Sequence, residues 1–155
     1  ANNWYYEMRD ISLNFKMSEI SAALGISQLK RINKFKKNRH LLRKFYDKNI
    51  NEIPNIEKIG INYDLDLMDH LYQVKINFNN IKKQKNQITQ ELLKKGIGTQ
   101  VHYMPIHLQP FYKKKKQNLK NSIKFYNETI SIPFHNNMNE KDGMKVIKAI
   151  KEIVK

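Results

Sequence analysis

Apolar residues recur along this chain with two different periods, and the order in which those periods alternate restricts the fold more than any other feature. From Met17 onward, Met17, Ile20, Leu24, Leu29, Ile32, Phe35, Leu42 and Phe45 stand mostly three or four residues apart. That spacing predicts one long amphipathic helix over residues 17–50, with Ser18 or Asn14 as its N-cap. Gly25 interrupts the helix at a cost of about 1 kcal/mol relative to Ala, a cost that close packing against another backbone, such as that of a second subunit, would explain. The connector 51–69 holds Pro54, Gly60 and a weak strand signal over residues 56–61. The period then shortens. Tyr72, Val74, Ile76 and Phe78 alternate with Gln73, Lys75 and Asn77, the pattern of a strand with one buried face. Ile81, Ile88 and Leu92 predict a helix that ends at Gly96 in a left-handed C-terminal position. Thr99, Val101 and Tyr103 read as a second strand, stopped by Pro105. Leu119, Ile123, Tyr126 and Ile130 form another helical stripe, and residues 131–134 a short strand. The last helix starts near Asn139, with Asp142 completing a near capping box, and carries the stripe Met144, Ile147, Ile150 and Val154.

After the long helix the order is therefore strand, helix, strand, helix, strand, helix. Such alternation predicts an α/β or α+β layer in which helices cover a small sheet. Residues 51–155 form that compact domain, residues 17–50 the helix leading into it, and residues 1–16 an extended segment. With 155 residues the chain can bury a real core, about 70% of the surface it exposes when unfolded. It contains no cysteine, which excludes disulfides, thiolate metal sites and cysteine nucleophiles. No apolar run approaches the roughly 20 residues a bilayer crossing requires, and no charged segment followed by a short apolar stretch marks a secretory signal. The expected compartment is the cytoplasm, with no membrane partner.

The formal net charge of +15 requires an explanation, because a basic balance can serve nucleic acid, an anionic membrane or an anionic small ligand. Lysine outnumbers arginine 25 to 4, whereas selection for bidentate phosphate or base recognition favours the planar fork of arginine. The densest run, Lys113, Lys114, Lys115 and Lys116, follows Phe111 and Tyr112, whose rings could stack bases. A basic nucleic-acid-binding module is thus the competing reading. Against it, the lysines are spread over every element rather than gathered on one stripe.

The stretch His102-Tyr103-Met104-Pro105-Ile106-His107, with Tyr112 beyond it, is the constellation best able to carry chemistry. Its histidines are five residues apart rather than the four that set two metal ligands on one helical face, and no Asp or Glu adjoins them, so no metal is expected. Histidines among tyrosines at a proline-braced turn suit an anionic, partly aromatic ligand. A core tyrosine with surface histidines is the plainer alternative. Gly96-Ile97-Gly98 lacks the rest of a phosphate-binding loop, and no Gly-x-Ser-x-Gly elbow occurs. Asp64 and Asp66, two apart in the connector, read as a turn rather than as paired catalytic carboxylates.

Three blocks carry a resemblance that goes further. Asn14-Phe15-Lys16-Met17-Ser18-Glu19-Ile20, followed by Ala22-Ala23-Leu24-Gly25 and Gln28-Leu29, resembles a signature block of the DegT/StrS-type nucleotide-sugar aminotransferases. Gly96-Ile97-Gly98-Thr99-Gln100-Val101-His102-Tyr103, with Pro105, His107, Gln109 and Pro110, is similar to a second. Phe125-Tyr126 with Ser131-Ile132-Pro133 is similar to a third. The blocks fall in family order and span nearly the whole chain.

The resemblance implies the C-terminal small domain of a fold-type I, PLP-dependent aminotransferase. Residues 1–16 would then be the end of the large domain, and 17–50 an interdomain helix. It implies a homodimer in which Asn14 reaches the phosphate of the partner's PLP, with Lys16 as a further cofactor contact at a position where the family often has Arg. It also implies that His102, Tyr103 and His107, with Tyr112 near them, line the nucleotide-sugar pocket. The wording of the second block is nearest to enzymes that aminate C4 of UDP-linked 4-keto-6-deoxy-N-acetylhexosamines with glutamate as donor, in pseudaminic acid and related surface-glycan pathways. One departure matters. The family's Schiff-base lysine lies in a Ser-x-His-x-x-Lys setting, and none of the 25 lysines of these 155 residues has that setting. No residue is therefore expected to be catalytic, and the isolated chain is expected to bind no PLP and to be inactive.

Overall fold

The computed structural model describes residues 4–11, 13, 15–60, 67–112 and 118–154. The chain divides into two units, residues 1–33 and residues 34–155.

The first unit is an extended segment leading into helix α1 (Glu19–Leu29). Ser18 caps it, its side chain accepting from the Ser21 N–H at 3.2 Å, and Glu19 stands in the first turn, where the helix dipole favours a negative charge. None of the described residues of this unit is buried. Ile20 is 84% exposed and Leu24 61%. An added Cβ at Gly25 would meet nothing within 4 Å among the described residues.

The helix expected over residues 17–50 is two helices. α1 ends at Leu29 and α2 runs Ile32–Ile50. Between them the Arg31 N–H bonds back three residues, to the Gln28 carbonyl at 3.0 Å, a 3₁₀-type contact that tightens the turn and interrupts the α-helical ladder.

The second unit holds the core. Leu42, Tyr46 and Ile50 recur every four residues along α2 and are buried. They join Val146, Ile147, Ile150 and Ile153 of α5 (Glu140–Ile153) and Ile88 and Leu92 of α3 (Lys85–Lys94). These helices close over a three-stranded antiparallel sheet, ordered β1 (Ile56–Lys58), β2 (Tyr72–Ile76), β3 (Thr129–Ile132). Ile56 pairs with Ile76, Tyr72 with Ile132 and Val74 with Ile130. The alternation read in Tyr72, Val74 and Ile76 is the buried face of the central strand. Because the strands are antiparallel and the helices cluster on them, the architecture is α+β.

Two further expected element ends are realised. Asn139 caps α5, accepting from the Lys141 and Asp142 N–H groups, while its own N–H donates to Asp142 Oδ2 at 3.2 Å. Gly96 closes the turn after α3 at φ +76°. Two other expectations are corrected. Residues 99–103 form no regular strand but a single bridge from Gln100 to Ser131. Ile130, counted in the stripe of the preceding helix, belongs to β3, and α4 spans Lys120–Glu128.

Polar groups bind α2 to the sheet. Arg39 donates to the carbonyls of Asp69, His70 and Phe134 and to the Asn136 side chain. Tyr46 Oη donates to the Pro133 carbonyl at 2.9 Å, and Tyr72 Oη to Asp47 Oδ1 at 2.6 Å. Burial raises the pKa of both phenols above the ordinary value, and the Asp47 carboxylate raises that of Tyr72 further. A phenol in the unfolded chain ionises near ~10, whereas these two hold their protons to higher pH in the fold. The stability they contribute is complete below that unfolded value and is lost as pH rises above it. The urea midpoint is accordingly expected to stay level with respect to these groups up to about pH 9 and to fall beyond pH ~10, less steeply in Tyr72→Phe. An equal slope in the variant would refute this assignment.

Candidate functional site

The chain leaving Gly96 runs antiparallel to the free edge of β3 for one bridge only. The Gln100 N–H donates to the Ser131 carbonyl at 3.0 Å, and the Ser131 N–H to the Gln100 carbonyl at 2.8 Å. Pro105 then turns it into two 3₁₀ turns, Ile106–Leu108 and Pro110–Tyr112. Backbone bonds such as Leu108 N–H to the Pro105 carbonyl at 2.9 Å and Tyr112 N–H to the Gln109 carbonyl at 2.9 Å hold these turns together.

This loop and the first turns of α4 enclose an open cleft of about 660 Å³. Its loop wall carries His102, Tyr103, His107 and Tyr112, and its helix wall Leu119, Asn121, Ser122 and Phe125. All four residues expected at a ligand pocket thus come together in one place. The His102 and Tyr103 rings meet edge-on at 4.7 Å, and Phe111 and Tyr112 do so at 5.0 Å. Tyr103 is 75% exposed and Tyr112 53%, so these are not core tyrosines. His102 Nδ1 lies 2.8 Å from Ser131 Oγ. His107 Nε2 is buried and has no hydrogen-bond partner among the described residues.

Among the described residues no carboxylate lines the cleft, so none of them repels an anion there. Imidazoles, phenols, a hydroxyl and a carboxamide all donate hydrogen bonds to oxygen, and the ring faces offer apolar area. Among the described residues no group of three or more His, Asp or Glu side chains is placed to hold a metal ion. No helix among them is long and apolar enough to cross a membrane.

Lys16 belongs to the N-terminal unit, and Asn14 lies outside the described residues, as do Asp64, Asp66 and the run Lys113, Lys114, Lys115 and Lys116. Sequence reasoning missed four contributors: Ser131, Asn121, Ser122 and Phe125. A signal existed for two of them. Phe125 stands between Ile123 and Tyr126 and off their stripe, which marks a second apolar face on α4. Ser131 interrupts the isoleucines Ile130 and Ile132 in a strand buried throughout, and a buried hydroxyl needs a partner.

The DegT/DnrJ/EryC1/StrS aminotransferase family model matches residues 1–151. A UDP-4-amino-4,6-dideoxy-N-acetyl-beta-L-altrosamine transaminase of Campylobacter jejuni is 36% identical over 142 residues, covering 90% of this chain and 38% of that protein. An uncharacterised protein of Methanocaldococcus jannaschii is 33% identical, covering 98% of this chain and 40% of its own length. Among solved structures, Helicobacter pylori PseC, an aminotransferase involved in the biosynthesis of pseudoaminic acid, superposes with a TM-score of 0.85 at 28% identity, over 99% of this chain and 42% of that one. The chain thus spans about two fifths of the length of the curated relatives it matches.

Proposed function

Because the chain belongs to the DegT/DnrJ/EryC1/StrS aminotransferase family, we propose that it is the C-terminal part of a PLP-dependent enzyme that transfers an amino group from glutamate to a keto-sugar nucleotide. The observation that carries this reading is the single cleft shared by His102, Tyr103, His107 and Tyr112. A nucleotide sugar combines a diphosphate, which takes hydrogen bonds from imidazole, phenol and amide donors, with flat apolar surfaces, which take aromatic faces. A cleft whose described lining has exposed tyrosines and no carboxylate matches both halves of such a ligand. The finer substrate in this proposal is a UDP-linked 4-keto-6-deoxy-N-acetylhexosamine, aminated at C4. It is supported by the wording of the 96–110 block and by the C. jejuni relative, whose name carries the UDP, N-acetyl, 6-deoxy and 4-amino features.

The described residues do not fit PLP by themselves. Among the described residues neither a lysine nor a carboxylate lines the cleft, and the Ser-x-His-x-x-Lys setting does not occur in the sequence. No chemical step is assigned to this chain. Its part in the proposed enzyme is to bind and orient the sugar nucleotide, with Asn14 and Lys16 contributing to the phosphate site of a second copy in a homodimer. The exposed apolar residues of the first unit, such as Ile11 and Ile20, support association, since faces of that kind mark contact surfaces.

In the intact protein, the UDP-linked 4-keto sugar with glutamate is expected to be turned over, and a dTDP-linked 3-keto sugar is not. Turnover of the dTDP substrate alone would sink the substrate assignment. These 155 residues alone are expected to give no borohydride-reducible lysine adduct with PLP. A stoichiometric adduct at a single lysine would overturn the division of labour proposed here.

A further inference from the structure

Among the described residues, Ser131 is the only one of β3 whose side chain is hydrogen-bonded to the cleft wall. It is 4% exposed, pairs with Gln73 of β2 and exchanges both backbone hydrogen bonds with Gln100. Its position is set by the sheet on one side and by the loop on the other. From there its Oγ reaches His102 Nδ1 at 2.8 Å.

The direction of that hydrogen bond follows from what else Ser131 can reach. Among the described residues its hydroxyl has no other partner. A buried O–H that accepted from Nδ1 would leave its own proton without an acceptor, which costs more than an unused lone pair. The hydroxyl therefore donates, and Nδ1 accepts. A neutral imidazole that accepts at Nδ1 carries its proton at Nε2. The ring lines the cleft, and no described protein group bonds to Nε2.

We propose that Ser131 is a positioning residue: it holds His102 as the Nε2–H tautomer, with that N–H directed to an oxygen of the nucleotide sugar in the cleft. The proposal rests on the reading of the cleft given above and extends it with a specific proton on a specific nitrogen. It also gives a reason for a serine between two isoleucines in a buried strand.

The test uses the intact protein, with UDP-N-acetylglucosamine as the binding probe and histidine-selective nitrogen-15 NMR of the unliganded protein at neutral to alkaline pH. His102 is expected to show the Nε2–H tautomer. Ser131→Ala is expected to weaken the probe about tenfold, the worth of one net hydrogen bond to a positioned donor, with the thermal midpoint lowered by only a few degrees. Ser131→Thr, which keeps the hydroxyl, restores affinity. His102→Gln keeps a donor near the Nε2 position without needing Ser131. The effect of Ser131→Ala is therefore expected to vanish in that background, whereas His102→Asn, which reaches only the Nδ1 position, loses affinity outright. An Nδ1–H ring in the wild-type protein overturns the inference. So does unchanged affinity in Ser131→Ala when His102→Asn is impaired, an outcome that leaves the cleft reading intact. If no variant at either position alters probe binding, the cleft reading itself falls and the inference falls with it.

Discussion

Replacing Arg43 with leucine is expected to cost about 3–5 kcal/mol of unfolding free energy, because it strands a buried carboxylate. The Arg43 and Asp69 side chains are 6% and 7% exposed, with Nε 2.8 Å from Asp69 Oδ1. That contact is an ion pair whose angle falls outside hydrogen-bond geometry, so Nε has Coulombic but not directional satisfaction. The same guanidinium donates to the Leu71 carbonyl at 2.9 Å and lies 4.9 Å above the Tyr72 ring. Removing it takes the counter-charge from Asp69 and the cation from the aromatic face together. A loss of that size is a large share of the ~5–15 kcal/mol a domain usually has, and it corresponds to roughly 10–20 °C in thermal midpoint. The paired change Arg43→Leu/Asp69→Leu removes both charges, and desolvating an ion pair often costs as much as the pair returns. The double variant is therefore expected to recover most of the loss. A double variant as unstable as the single one would show that the damage comes from packing rather than from the stranded charge.

The second large effect lies where α5 crosses α2. A Cβ built on Gly143 would stand 2.8 Å from Phe45 Cε1, 2.9 Å from Phe45 Cδ1 and 3.2 Å from Leu42 Cδ1. Gly143→Ala gains about 1 kcal/mol of helix propensity, which offsets much of the cost of moving a half-buried ring. Gly143→Val adds branched methyls that the same shift cannot clear, and about 2–3 kcal/mol of destabilisation is expected in denaturant titration. A valine variant within 0.5 kcal/mol of wild type would show that the two helices separate freely at this point.

Gly143 also shows what periodicity conceals. It lies inside the stripe that correctly located α5, yet nothing in the stripe says that α2 crosses at that turn, because the crossing joins residues about a hundred positions apart. Local rules were legible where local chemistry decides: the Asn139 cap, the left-handed Gly96 and the alternating face of β2 all follow from neighbouring residues. They failed where two local patterns coincide. Ile130 fits the helical spacing from Tyr126 and also opens a buried strand, and a short apolar run cannot choose between the two. Residues 99–103 alternate as a strand would, but alternation reports faces, not whether a pairing partner continues. No glycine or proline marks the turn at Lys30 and Arg31, so the interruption of the long helix left no trace in composition.

The candidate site was legible to a similar degree, in that its residues share one cleft. His102, Tyr103, His107 and Tyr112 are close in sequence, and one proline-braced loop delivers them to one cleft. The opposite wall comes from a helix beyond that loop, and the Ser131 contact spans 29 positions. Such pairs meet only through the fold.

The two walls of the cleft are unequal in a way that bears on how it takes a ligand. The His102 side is joined to the sheet through Gln100 and Ser131, and every residue of β3 is buried. No residue of α4 is buried; it is held by half-buried Ile123 and Tyr126 and by Lys85, which donates to the Tyr126 carbonyl and lies 4.7 Å over that ring. Local opening costs least where the fewest apolar groups are removed from solvent, so α4 yields before the imidazole wall does. The cleft behaves like a vice with one fixed jaw and one sliding jaw: a bulkier ligand would displace the helix, while His102 stays in register with the strand behind it.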